Sequence, residues 1–189
     1  MLCLKLLRIA RTNVPESKFI LGDIRKLDLQ PIYDAVISID VFCHILNLEE
    51  LTTVFQKVYT AMRCNGIFAF TTPTVEEAWL TTIFENRYNF EYFNRIIEGD
   101  TSILIERYYN HNHEEKIREV KFTSLELINE VWQRSDSTML VKDYLISEIK
   151  SALANAGFIE INKYSSRDFG DDGPVSAPLF VCRKPSVLQ

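Results

Sequence analysis

Two aspartates, Asp23 and Asp40, each close a short apolar burst: Phe19-Ile20-Leu21-Gly22 precedes the first, and Tyr33-Asp34-Ala35-Val36-Ile37-Ser38-Ile39 the second. Bursts of this length and make-up read as buried strands. A carboxylate at a strand end can accept hydrogen bonds from the polar edge of a ligand, or it can form a turn or cap a helix. His44 follows shortly after Asp40. A neutral imidazole there could take a proton from a reacting group, and a packed structural histidine explains it equally well. Arg107 and Tyr109 alternate onto one face of a strand-like run, where they could reach a second ligand or simply face water. His111 and His113 fall in a turn-rich stretch and read as solvent-exposed. Cys3, Cys43, Cys64 and Cys182 have no paired metal spacing. A metal site is therefore not expected, nor are structural disulfides, and the thiols read as small buried or half-buried groups.

The elements that must position these residues follow from periodicity. Leu48 to Met62 has helical spacing, Cys64-Asn65-Gly66 reads as a turn, and Ile67-Phe68-Ala69-Phe70 is a third strand closed by Thr71-Thr72-Pro73. Strand, crossover helix and strand imply a parallel sheet, and such sheets bind ligands at the carboxyl ends of their strands, where Asp23 and Asp40 fall. Val75 to Asn94 is helix-like and rich in aromatics, a cover over the sheet. Ser102 to Tyr109 and Ile117 to Phe122 read as a hairpin around Asn110-His111-Asn112-His113-Glu114. A third strand within Leu125 to Trp132 or Thr138 to Val141 would complete a small antiparallel sheet. Ser147 is placed to cap a helix running to Ala156, with Gly157 stopping it. Glu160 to Tyr164 and Leu179 to Cys182 are the last strands, joined by a polar loop from Arg167 to Gly173. One domain is expected, with residues 1–72 as a ligand-binding part, 73–143 as cover and antiparallel insertion, and 144–189 as the closing helix and strands.

With 189 residues, 47% of them hydrophobic and 25% charged, the chain can bury one sizeable core. A net charge of −5 argues against nucleic acid and against an anionic membrane surface as partners. No apolar run reaches the length of a bilayer span. Lys5, Arg8 and Arg11 interrupt the apolar start, which reads as an amphipathic helix rather than a secretory signal, and a cytoplasmic location is expected.

In this order and at these spacings the motifs resemble those of the class I S-adenosylmethionine-dependent methyltransferases of small-molecule type. Leu7-Arg8-Ile9-Ala10-Arg11 to Val14-Pro15-Glu16 looks like the helix before that family's third strand. Phe19 to Arg25 is similar to the strand itself, and Tyr33 to Ile45 to the fourth strand and its cofactor-facing loop. Met62-Arg63-Cys64-Asn65-Gly66-Ile67-Phe68 stands where a Leu-Lys-Pro-Gly-Gly segment is usual, and Ala154-Asn155-Ala156-Gly157-Phe158 resembles a late Ala-Gly-Phe turn. The resemblance implies a Rossmann-like α/β sheet with a small antiparallel sheet inserted after strand five. It implies S-adenosyl-L-methionine as cofactor, with Gly22, Asp23 and Ile24 near its adenine and Ile39 and Asp40 bordering its methionine part. It places His44, Arg107 and Tyr109 toward a small-molecule methyl acceptor.

The sequence departs from the family pattern at its start. The glycines, at positions 22, 66, 99, 157, 170 and 173, form no Gly-x-Gly pair, and Met1 would stand inside the helix after the second strand. The expectation is thus an N-terminally truncated form lacking the first two strands, with Phe19 to Leu21 and the strand ending at Ile39 left to pair with each other or to expose free edges. Alternatives are a non-catalytic fragment or binding module that needs a second chain to complete the sheet, and a decayed reading frame.

Overall fold

The computed structural model describes residues 2–76, 92–112, 114–170 and 177–186. Its main sheet is set by side-chain alternation along four strands. Numbered in chain order, β1 (Tyr33–Ile39) pairs parallel with β2 (Met62–Thr71), β2 antiparallel with β8 (Leu179–Arg183), and β8 antiparallel with β7 (Ile159–Tyr164). The register places Val36 beside Phe68 and Ser38 beside Phe70, then Phe68 beside Cys182 and Phe70 beside Phe180. These side chains share one face, and α2 (Leu48–Ala61) and α3 (Ile146–Ala156) supply the core residues that meet it. Leu51, Val54, Phe55, Phe68, Phe70, Leu153 and Phe180 are fully buried there. The rings of Phe68 and Phe70 stack at 4.8 Å and those of Phe70 and Phe180 at 5.2 Å. Asn47 starts α2 by accepting from the amides of Glu49 (2.7 Å) and Glu50 (3.3 Å), and the two acidic side chains favour the positive end of the helix.

The opposite face of the sheet is treated differently. Ile37 is 74% exposed and Ile39 70%, although both alternate with core residues on β1. Among the described residues no helix lies over them. The first helix, α1 (Leu2–Asn13), contributes to neither hydrophobic cluster among the residues whose side chains are described.

A second, wholly antiparallel sheet is a meander of β3 (Tyr92–Gly99), β4 (Ser102–Asn112), β5 (Ile117–Ile128) and β6 (Val131–Lys142). It is joined to the main sheet through a small cluster in which Cys43 packs with Val120, Val141 and Phe122.

Several expectations are corrected. Phe19-Ile20-Leu21 is not a strand, and Ile20 and Leu21 are exposed. A strand needs a neighbour for its backbone groups, and β1, which would have to serve, keeps its outer edge unpaired among the described residues. The turn expected at Cys64-Asn65-Gly66 lies inside β2 as an irregular stretch. There Asn65 takes φ 63°, and the strand register jumps from Tyr33 opposite Met62 to Ala35 opposite Ile67. Lys184 makes this possible: its carbonyl accepts from Asn65 at 3.0 Å and its amide donates to Gly66 at 2.9 Å.

The helical cover expected over Val75 to Asn94 falls mostly outside the described residues, but Tyr92, Phe93 and Asn94 are strand, paired with Tyr109, Tyr108 and Arg107. Asn110, His111 and Asn112 continue β4 instead of turning, with a bulge between Asn110 and Asn112, and His113 lies outside the described residues. The two alternatives for a third strand belong to two strands, since Leu125 ends up in β5 and Thr138 to Val141 in β6. They meet at a two-residue turn of Asn129 (φ 52°) and Glu130 (φ 66°). Ser147 does not cap α3. The amide of Leu145 donates to Glu148 at 2.8 Å and that of Ile146 to Glu76 at 3.0 Å, so two carboxylates satisfy the helix start. The expected loop at Arg167 begins as a 3-10 turn over Ser166–Phe169, and residues 171–173 lie outside the described set.

Gly157 ends α3 as the sequence suggests, at φ 102°, and an added methyl would stand 3.1 Å from the Tyr59 ring. Gly170, at φ 77°, has open space instead. Gly170→Ala should therefore cost only the left-handed backbone term, about 1 kcal/mol. Gly157→Ala should cost about 2 kcal/mol or more, because strain and crowding add. Urea unfolding of the two variants beside the parent chain checks the difference.

Candidate functional site

The carboxyl ends of β1 and β2 are tied together by one pair of side chains. Thr71 donates from Oγ1 to Asp40 Oδ1 at 2.9 Å, and the Asp40 amide donates back to Thr71 Oγ1 at 3.1 Å. Asp40 sits at φ 50°, a left-handed conformation that aspartate tolerates better than most residues. The backbone leaves the strand at that point. A 3-10 turn follows, Phe42–His44, and its three side chains go three ways. Phe42 enters the main core edge-on to Phe55, Phe68 and Phe70 at 5.2, 5.8 and 5.1 Å. Cys43 is buried against β5 and β6, its thiol donating to the Asp40 carbonyl at 3.3 Å. His44 stays exposed, with Nδ1 3.4 Å from the Leu140 carbonyl of β6.

The antiparallel sheet is pinned against this turn from the far side. Arg118 of β5 grips Asp143, just past β6, through Nε and Nη2 at 2.5 and 2.6 Å. Asp143 is only 5% exposed, and Arg118 pairs its buried carboxylate. Next to it the buried Tyr144 donates its hydroxyl to the Ile45 carbonyl, and its own carbonyl accepts from Val75 at 3.0 Å. Burial, reinforced by the carboxylates of Glu148 and Glu50, pushes the Tyr144 phenol well above its ordinary range. Residues 40–45 are thus held between the two sheets.

Asp23 belongs to a different assembly. It caps the 3-10 turn Ile24–Lys26 by accepting from the Arg25 amide at 3.0 Å, and the Arg25 guanidinium holds both carboxylate oxygens, Nη2 at 2.7 Å. These hydrogen bonds from the Arg25 side chain and backbone draw the Asp23 carboxyl down to about 2. Arg25 reaches on to Glu50 of α2 at 3.7 Å. Gly22 precedes the turn with room for a methyl, and Ile24 is partly buried against the main core.

Of the residues singled out in the sequence, Ile39, Asp40 and His44 are adjoining parts of the strand-end assembly, and Gly22, Asp23 and Ile24 form the turn beside α2. Arg107 and Tyr109 lie on β4, opposite Lys121 and Glu119 of β5, and their side chains are outside the described set. Sequence reasoning missed Thr71, Arg118, Asp143 and Tyr144. Each acts through a partner remote in sequence, so no local spacing marks it. A mostly apolar cavity of about 320 Å³ lies between β1 and α2, lined by Ile24, Tyr33, Val36 and Lys57 among others, away from Asp40. Among the described residues no cluster of His, Cys, Asp or Glu could hold a metal ion, and no helix is long and apolar enough to cross a membrane.

A four-stranded sheet ordered β1-β2-β8-β7, with one reversed strand at its centre and a second sheet set over the carboxyl ends, defines a Rossmann-like fold of the class I S-adenosylmethionine-dependent methyltransferase type. The family profile described as a methyltransferase domain matches residues 2–70. An S-adenosylmethionine-dependent methyltransferase from Clostridium acetobutylicum superposes with a TM-score of 0.75 at 13% identity, over 96% of this chain and 72% of that one. The S-adenosylmethionine-bound amino pentose methyltransferase CalS10 from Micromonospora echinaspora gives 0.68 at 16% identity, over 95% and 70%. The sugar N-methyltransferase KedS8 from a Streptoalloteichus species gives 0.69 at 13%, over 94% and 66%. A comparison with curated protein sequences finds none that matches.

Two outcomes follow from the geometry. Burial pushes the Cys43 thiol up to about 11, with the Asp40 charge adding to it, and burial alone pushes Cys182 up to about 12. At neutral pH a thiol reagent should therefore modify the exposed Cys64 at once and reach Cys43 and Cys182 only on unfolding, as peptide mapping of the labelled protein would show. Arg118→Met leaves Asp143 buried and unpaired and should cost about 3 kcal/mol in urea unfolding, with the double variant Arg118→Met/Asp143→Leu recovering part of the loss.

Proposed function

We propose that this chain serves S-adenosylmethionine-dependent methyl transfer to a small-molecule acceptor. The observation that carries the reading is Asp40, a carboxylate fixed at the carboxyl end of β1 by Thr71 and held between the two sheets. On this reading Ile39 and Asp40 border the methionine part of the cofactor, and Gly22, Asp23 and Ile24 its adenine. Asp40 fits that role as it stands. Asp23 fits once Arg25 moves aside, and Glu50, at 3.7 Å from the guanidinium, offers Arg25 a second anchor.

When bound, the cofactor supplies a methyl carbon made electrophilic by a sulfonium, so the protein's work is mainly alignment of the acceptor. His44 has the position and the free nitrogen for one further task. In the neutral tautomer that donates from Nδ1 to the Leu140 carbonyl, Nε2 would offer its lone pair to a proton of the acceptor. Arg107 and Tyr109, on the strand paired with β5, are proposed to face the acceptor. The printed substrates of CalS10 and KedS8, an amino pentose and a sugar nitrogen, make amino sugars the first acceptor class to assay.

A second reading is favoured by the edge of β1, unpaired among the described residues: a non-catalytic module that gains a cofactor site only when a further chain completes the sheet. Calorimetric titration with S-adenosylhomocysteine separates the two. Micromolar binding by the chain alone, weakened at least about tenfold in Asp40→Ala and in Asp23→Ala, is the expected result. A folded chain that binds nothing would retire the first reading. With an accepted amino sugar, His44→Gln should lower kcat by about a hundredfold and leave cofactor affinity unchanged.

A further inference from the structure

The two carboxylates proposed to meet the cofactor differ in readiness. At Asp40 only Oδ1 is engaged by another side chain among the described residues, through Thr71 at 2.9 Å. At Asp23 both oxygens are filled. Oδ1 accepts from the Arg25 amide and from Arg25 Nε, each at 3.0 Å, and Oδ2 accepts from Nε at 3.1 Å and from Nη2 at 2.7 Å. A carboxylate has about four lone-pair sites, so this one has none left for the amino group of an adenine. Glu50, in the first turn of α2, approaches the one guanidinium nitrogen that Asp23 does not use, with Oε2 3.7 Å from Nη1.

We propose that Arg25 is an autoinhibitory latch on the adenine side of the cofactor site, swinging from Asp23 to Glu50 when the cofactor enters. The inference rests on the methyl-transfer reading and deepens it. Release of the guanidinium frees Oδ2, while the Arg25 amide still donates to Oδ1 and keeps the Asp23 cap on the turn. Arg25 and Glu50 are each 52% exposed, so the swing takes place in water, needs no repacking of the core, and is eased by salt. The hydrogen bonds from Arg25 draw the Asp23 carboxyl down to about 2, so at neutral pH the latch yields to a competing ligand or to salt and not to a proton. A cofactor that binds only the open form has its affinity lowered by the fraction of chains that are open. For an exposed ion pair that factor is up to about fivefold.

Calorimetric titration of S-adenosylhomocysteine into the full chain and two variants tests it. Arg25→Met keeps the amide that caps the turn and should bind up to about fivefold tighter than the parent chain. Glu50→Gln removes the charge that receives the open latch and should bind more weakly than the parent. Added sodium chloride should narrow the gap between the parent and Arg25→Met, because only the parent has a latch to loosen. Equal or weaker binding by Arg25→Met, with Asp23→Ala still weaker than the parent, overturns the latch and leaves the methyl-transfer reading standing. Tighter binding by Glu50→Gln, or a gap that salt leaves unchanged, overturns the latch as well. No binding by the parent or by either variant overturns both.

Discussion

Phe42 is the fixed point of this structure. Its ring is 1% exposed and stands edge-on to Phe55, Phe68 and Phe70, which belong to α2 and β2. Edge-to-face contacts of buried rings add to the large apolar area each one removes from water. Because Phe42 cannot leave the core, the short turn that carries it has no freedom of orientation. Cys43 must then face the antiparallel sheet, His44 must face outward, and Asp40 must stand where the strand ends. The turn of the proposed site thus derives its geometry from an aromatic cluster buried in the core.

Among the described residues the main sheet is covered on one side: helices α2 and α3 close the face of Phe68, Phe70 and Phe180, whereas Ile37 and Ile39 on the other face are exposed. Apolar area exposed in this way contributes nothing to folding, so stability rests on a single packed layer and on the junction between the two sheets. At that junction polar contacts replace apolar area. Arg118 with Asp143 and Tyr144 with the Ile45 carbonyl hold by direction and charge what the small cluster around Cys43 holds by burial.

How far the sequence discloses this depends on whether a feature is local. β1, α2, α3, β7 and β8 follow from periodicity in their own residues, and Gly157 from the need for a positive φ. Asp23 with Arg25 two residues on is a self-contained turn, legible as one of the roles its position allows. Phe19 to Leu21 misleads because strand propensity is realised only against a partner edge. Asn65 and Gly66 mislead for the converse reason: their backbone is satisfied by Lys184, more than a hundred residues away, so a turn-like sequence continues as strand. In the candidate site, the place of Asp40 at the end of β1 is legible from the apolar burst before it. Thr71 is not, because its partnership exists only in one parallel register.

The strand order has a consequence for how the molecule comes to be folded. β8, the last strand of the main sheet in sequence, lies between β2 and β7, and its Phe180 and Cys182 sit in the middle of the core. Until β8 inserts, β2 and β7 have no contact through the sheet, and Phe70 stacks on Phe68 alone, without Phe180. Chain closure is therefore a late, non-local event, the kind that slows folding. During synthesis everything before β8 waits with an unfilled slot, exposing apolar surface and strand edges that invite capture by chaperones or by other nascent chains.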